Sequence, residues 1–158
     1  MKVTLFLLFF IGSANVGVTQ HSQTQISPQK ATRLQVIISA PFGMDRDYLV
    51  TPDSLIIDFK TIEGHAHYSK VLTNSEHEDL LSSFSKIYLS NVKPSYKPKT
   101  INVSDAASYN ISISKGKIIK TTNVYCVRWE PLYTFSKKLD RLLPHNYKIN
   151  YTSSYFYK

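Results

Sequence analysis

The chain has 158 residues, with 19 Lys and Arg against 11 Asp and Glu, a formal charge of +8, 42% apolar residues and one cysteine. So much apolar side chain with so few charges excludes a disordered chain. A lone cysteine excludes an internal disulfide, and with it a small stapled scaffold. The lysines are scattered through the chain, whereas a specific nucleic-acid surface is a dense, arginine-rich stripe interleaved with aromatics.

Met1-Lys2 is followed by an unbroken apolar run, Val3 to Ile11, and then by small residues in Gly12-Ser13-Ala14-Asn15-Val16-Gly17. This is the order of a secretory signal peptide, and the run is far shorter than the roughly 20 apolar residues a span requires. Residues 1–20 are therefore expected to be removed, with Ala14 or Gly17 before the cut, leaving no transmembrane span and a charge reduced from +8 to +7 by loss of Lys2. Gln- and Ser-rich residues 21–32 read as a flexible leader. Residues 33–158 are expected to form a single α+β domain in the periplasm or outside the cell.

The first strand candidate is Arg33 to Ser39, ended by Pro41-Phe42-Gly43, with Met44-Asp45-Arg46-Asp47 as a polar connection. Ser54 to Lys60 and His65 to Val71 read as two strands about a Glu63-Gly64 turn. Ser75 and Glu78 have capping-box spacing and predict a helix with Leu80, Leu81, Phe84 and Ile87 on its apolar face. Lys93 to Lys99, with prolines at 94 and 98, reads as a connector without regular ladder bonds. Thr100 to Val103 is a short strand candidate.

From Tyr109 to Ser114 bulky and small polar residues alternate, Lys115-Gly116-Lys117 turns, and Ile118 to Tyr125 returns as the second strand of a hairpin. Pro131 opens a helix whose apolar face is Leu132, Phe135, Leu139 and Leu142, with Lys137 and Lys138 facing water. His145 to Tyr151 alternates again, as a strand at a sheet edge would, and the aromatic tail from Thr152 is expected to dock. The order strand, turn, strand, helix thus occurs twice. The expected fold is an antiparallel sheet with two helices on one face, built of two such units.

The stretch Asp105 to Ile113, the lysine-glycine turn and the helix ending Leu139-Asp140-Arg141-Leu142-Leu143-Pro144 resemble small exported domains of Bacteroidota-type bacteria. The resemblance covers about 50 residues at the level of pattern. It implies an envelope or secreted location and an α+β fold, and it implies no catalytic residue.

Site chemistry is sparse. His65 and His67, two apart on one strand, leave the same face, and His77, Glu76 or Glu78 at the next helix start is the candidate third ligand of a zinc site. Such a site would make the protein a metal-dependent hydrolase. Asp45, Asp47, Asp53 and Asp58 lie around a loop of undetermined shape and read as turn formers or solvated charges. Lys115, Lys117 and Lys120 are candidates for an anion site, the basis of a third reading as a binder of anionic polymers or surfaces. Cys126 reads as a buried, inert thiol. No Gly-x-Ser-x-Gly elbow and no phosphate-cradling glycine loop occur, so no cofactor is expected. Asn102, Asn110 and Asn150 sit in glycosylation acceptor patterns, which matter only in a eukaryotic source.

The reading that absorbs most of this is an exported, non-catalytic binding or interaction module, whose partner would be another envelope or secreted protein. Export makes a direct demand on the N-terminus. Sequencing of protein recovered outside the cytoplasm should find a first residue between Asn15 and His21, and Met1 there would overturn the reading.

Overall fold

The computed structural model describes residues 30–40, 44–61, 63–99 and 106–151. Among these residues seven strands form one sheet: β1 (Arg33–Ala40), β2 (Met44–Val50), β3 (Ser54–Thr61), β4 (Gly64–Val71), β5 (Ser95–Tyr96), β6 (Ser108–Lys115) and β7 (Ile118–Tyr125). Helices α1 (Asn74–Ser85) and α2 (Glu130–Leu142) follow β4 and β7. The sheet order is β4-β3-β2-β1-β6-β7-β5, antiparallel throughout except for β5 beside β7. The α+β class is as expected.

Strand periodicity sorts the side chains. Leu34, Val36 and Ile38 of β1 stand opposite Ile113, Ile111 and Tyr109 of β6. On the other side Leu34 and Val36 face Val50 and Tyr48 of β2, which in turn face Leu55 and Ile57 of β3. All these side chains are buried, and they share one core with Leu80, Leu81 and Phe84 of α1 and Leu132, Phe135 and Leu139 of α2. Phe84 meets Trp129 and Phe135 edge-on, with ring centroids 5.8 and 5.7 Å away.

The polar connection expected at Met44-Asp45-Arg46-Asp47 is instead the first half of β2. Its charges are accommodated by neighbours far along the chain. Arg46 lies over the Phe59 ring at 4.3 Å and donates from Nη1 to the Lys148 carbonyl at 2.9 Å. Asp47 takes a bond from Gln35 Nε2 at 2.8 Å. The α1 cap also lies two residues earlier than expected. Thr73 is the N-cap and Glu76 completes the capping box, because Glu76 also reaches Lys70 Nζ at 2.7 Å. These bonds hold the Glu76 carboxyl down to about 2, so its stabilising charge is in place above the ordinary value of 4.5 and is lost as pH falls toward 2.

The connector carries β5, a two-residue strand parallel to β7, with Asn123 N–H bonded to the Pro94 carbonyl at 3.1 Å and Tyr96 stacked on Trp129. The edge strand expected from His145 to Tyr151 is a 3-10 turn, His145–Tyr147, and an irregular run. Its apolar residues do point inward, and Ile149 and Tyr151 are buried. Its backbone bonds go to side chains in place of a neighbouring strand. Tyr48 Oη donates to the Tyr147 carbonyl at 2.9 Å, and Asp140 accepts from the Ile149 and Asn150 N–H groups at 2.7 and 3.1 Å. Ala31, expected in the leader, is buried, and its N–H donates to Ser85 Oγ at 3.2 Å. Thr100 to Val103, the tail from Thr152 and the signal segment lie outside the described residues.

Lys138 differs from expectation too. Its Nζ bridges to α1, 2.6 Å from Asp79 Oδ1 and 2.8 Å from Ser82 Oγ, so it ties the two helices rather than facing open water. Leu139 is fully enclosed. Leu139→Ala should cost about 2–5 kcal/mol in denaturant unfolding through the cavity it leaves, and Lys138→Ala no more than about 1 kcal/mol. Equal unfolding midpoints for the two variants would contradict this packing.

Candidate functional site

The face of the sheet opposite the core is built by the alternate residues of each strand. Following the register outward from β1, one row runs Asn123, Asn110, Ile37, Asp47, Asp58, His67. A second runs Tyr125, Ser108, Ser39, Asp45, Lys60, His65, and a third Thr121, Ser112, Gln35, Leu49, Ile56, Ser69. One half of this face is therefore a ladder of hydroxyls and amides, and the other half gathers the carboxylates and histidines. Asn123 links the amide half, donating from Nδ2 to Ser108 Oγ at 2.6 Å and to Asn110 Oδ1 at 2.8 Å.

In the acidic half, Asp58 Oδ1 lies 2.8 Å from His67 Nδ1 and 3.7 Å from His65 Nε2. The two histidines do share a face, as the period of two requires, and the carboxylate between them comes from the adjacent strand. An open depression of about 410 Å³ is lined by Ile37, Asp45, Arg46, Asp47, Asp58, Lys60 and His65. At its side Asp47 keeps Oδ2 on Gln35, whereas Oδ1 is buried without a hydrogen-bond partner. Burial pushes the Asp47 carboxyl above its ordinary value, the Gln35 bond pulls it down, and the charge of Asp58 opposite raises it further.

The third expected ligand does not join the pair. His77 is only 9% exposed on the inner side of α1, with Nε2 3.4 Å from the Thr32 carbonyl, whereas His65 and His67 project from the opposite sheet face. Among the described residues no group of three or more His, Cys, Asp or Glu is arranged to hold a metal ion.

The lysine trio is likewise separated. Lys115 is 2% exposed, and its Nζ donates to the carbonyls of Ser85, the last residue of α1, and of Ile87 just past it, at 2.9 and 2.5 Å. An ammonium held there serves helix carbonyls and is closed to an external anion. Lys117 is exposed in the turn, and Lys120 stands opposite Ile113. Of the remaining loop acids, Asp53 holds Thr51 Oγ1 at 2.8 Å in a turn, in keeping with its reading as a turn former.

Sequence spacing marked the histidine pair. It did not mark Asp58, Asp47 and Gln35 as their neighbours, because that grouping is made by strand register across β1 to β4. The hydroxyl and amide ladder had a visible signal in Ser108-x-Asn110-x-Ser112-x-Ser114, which alternation alone assigned to a solvent face. Within the described residues, no helix is long and apolar enough to cross a membrane. No protein-family model matches the chain, and no curated protein matches it.

Asp47 supplies a pH test of this geometry. Its carboxyl is raised in the fold, so its neutral form is the favoured one; that contribution is complete below the ordinary value of 3.8 and is lost as pH rises through the raised value. Asp47→Asn mimics the neutral form. The variant should melt above the parent at pH 7, and the gap should close as pH falls below 3.8. A gap that is constant with pH would contradict the burial of Asp47.

Proposed function

We propose that this is an exported, non-catalytic interaction protein that recognises another envelope or secreted protein with the open face of its sheet. In this reading both helices cover the other face. That arrangement is supported by the single core that their inward residues share with β1, β2, β3 and β6, and by the Lys138–Asp79 link between them.

The observation that carries the reading is the composition of the open face. Ser, Thr and Asn side chains line β6 and β7 there, partly buried Ile37, Leu49 and Ile56 lie on the central strands β1, β2 and β3 in two adjacent rows, and carboxylates and histidines stand beside them on β2, β3 and β4. Such a broad, mixed surface suits a protein contact, with apolar area at its centre and polar groups around it. A hydrolytic site needs converging groups in a cleft. His67 and Asp58 form a hydrogen-bonded pair, but His65, His67 and Asp58 are each about half exposed, Asp58 and His65 line an open depression rather than a closed cleft, and among the described residues no hydroxyl or thiol is bonded to either ring. Export rests on the N-terminal pattern Met1 to Gly17.

Asn110→Arg with Asp58→Arg places two bulky cations on the open face without touching the core. This variant should stay within about 1 kcal/mol of the parent and should lose the partner cross-linked to the parent in the host's exported fraction. Lys137→Glu on α2 should keep that partner, and the reverse result would put the interface on the helices. The metal-hydrolase alternative is tested beside it. Zinc should raise the melting temperature no more for the parent than for His65→Ala with His67→Ala, and a rise confined to the parent would favour the metal reading.

A further inference from the structure

We infer that β4 pairs with the β4 of a second copy across a twofold axis, so that two sheets continue into one. This edge contact is separate from the open-face reading and stands or falls without it.

The two edges of the sheet are treated differently. At one edge β5 is two residues long and set between Pro94 and Pro98, which leaves little backbone for another strand to add to. At the other, β4 runs for eight residues in unbroken register from Gly64 opposite Thr61 to Val71 opposite Ser54, and its only sheet partner among the described residues is β3. It contains no proline and no bulge. Its one lysine, Lys70, is held by Glu76 at 2.7 Å and reaches the Val71 carbonyl at 3.5 Å, so it touches only the last residue of the free edge. From Gly64 to Ser69 the devices that keep an edge strand unpaired are absent from β4, whereas they are present at β5.

The tight connection between Thr61 and Gly64 makes them the hydrogen-bonded pair that closes the hairpin. Counting from Gly64, alternate residues turn their backbone groups toward β3, and His65, His67, Ser69 and Val71 turn theirs to the free edge.

The pattern of β4 fits its own copy. With the axis at Tyr68, His67 faces Ser69 of the partner subunit, His65 faces Val71 of the partner subunit, and Ala66 faces Lys70 of the partner subunit. No two like charges oppose each other in this register. Val71, 81% exposed and so the most exposed large apolar side chain described, gains cover from the added strand. The contact is small for an interface, and each copy carries a formal charge of +8, or +7 without residues 1–20, so association is weak and is strengthened by salt, which screens the repulsion.

Sedimentation of the purified chain up to about 1 mM should show a reversible monomer–dimer equilibrium that shifts toward dimer as salt is raised. Ser69→Pro removes an N–H directed at the free edge and none directed at β3. It should weaken the dimer at least about tenfold while the circular dichroism of the monomer is kept. Val71→Lys, which restores an edge guard, should act in the same direction. In the parent, amide exchange at His65, His67, Ser69 and Val71 should slow with protein concentration, while exchange across β1 stays constant. A chain that is monomeric at every concentration and salt overturns the inference. So does a dimer that Ser69→Pro and Val71→Lys leave intact, or exchange at those four amides that ignores concentration.

Discussion

Leu34, Val36 and Ile38 alternate along β1, and β2 and β6 must both pair with that strand in the one register that keeps their own apolar residues on the same side. Val36 lies between Tyr48 and Ile111, and Leu34 between Val50 and Ile113. A slip of one residue in either pairing would turn a whole strand's core side chains to solvent. The β1–β6 pairing joins segments 69 to 81 residues apart, Ser39 with Ser108 and Arg33 with Ser114, so the first and second halves of the chain are held in one sheet through it. Both helices and the open face take their positions from this alignment.

Lys115 continues the same logic by electrostatic means. It occupies the next inward position of β6 after Ile111 and Ile113, where an apolar residue would ordinarily sit. Burial lowers its pKa, and no carboxylate faces it among the described hydrogen bonds and ion pairs. Its protons go to carbonyls at the end of α1, a helix that has no basic residue in its own last turn. One side chain thus satisfies acceptors that the helix leaves open and docks that helix end on the hairpin. Its burial sets Lys115 apart from Lys117 and Lys120, the other two lysines of the candidate anion site.

Elements governed by local rules were readable in the chain. The hairpin about Gly116, with φ at +58°, the helix behind Pro131 and the inward run Leu132, Phe135, Leu139 all follow from short-range pattern. What was hidden depends on distant partners. β2 carries Asp45, Arg46 and Asp47 in succession, and it becomes a strand because Lys148, Phe59 and Gln35 receive two of these charges. The run from His145 alternates like a strand, and Arg46, Tyr48 and Asp140 capture its backbone before another strand can. Of the candidate site, the shared direction of His65 and His67 was legible from a period of two. The separation of His77 and the approach of Asp58 were set by tertiary packing and strand register. The helix cap moved to Thr73 because Lys70, six residues before Glu76, selects that glutamate over Glu78.

Cys126 follows β7 directly with φ at +52°, a left-handed conformation unusual for a residue with a side chain, and its side chain is buried at the joint between the sheet and α2. Burial also raises the thiol's pKa, so the reactive thiolate is scarce while the joint stays closed. The protein therefore carries its own clock for that joint. Because no other thiol exists in the chain, the rate at which an alkylating reagent consumes it counts how often the hairpin and the helix part company, without any label being added.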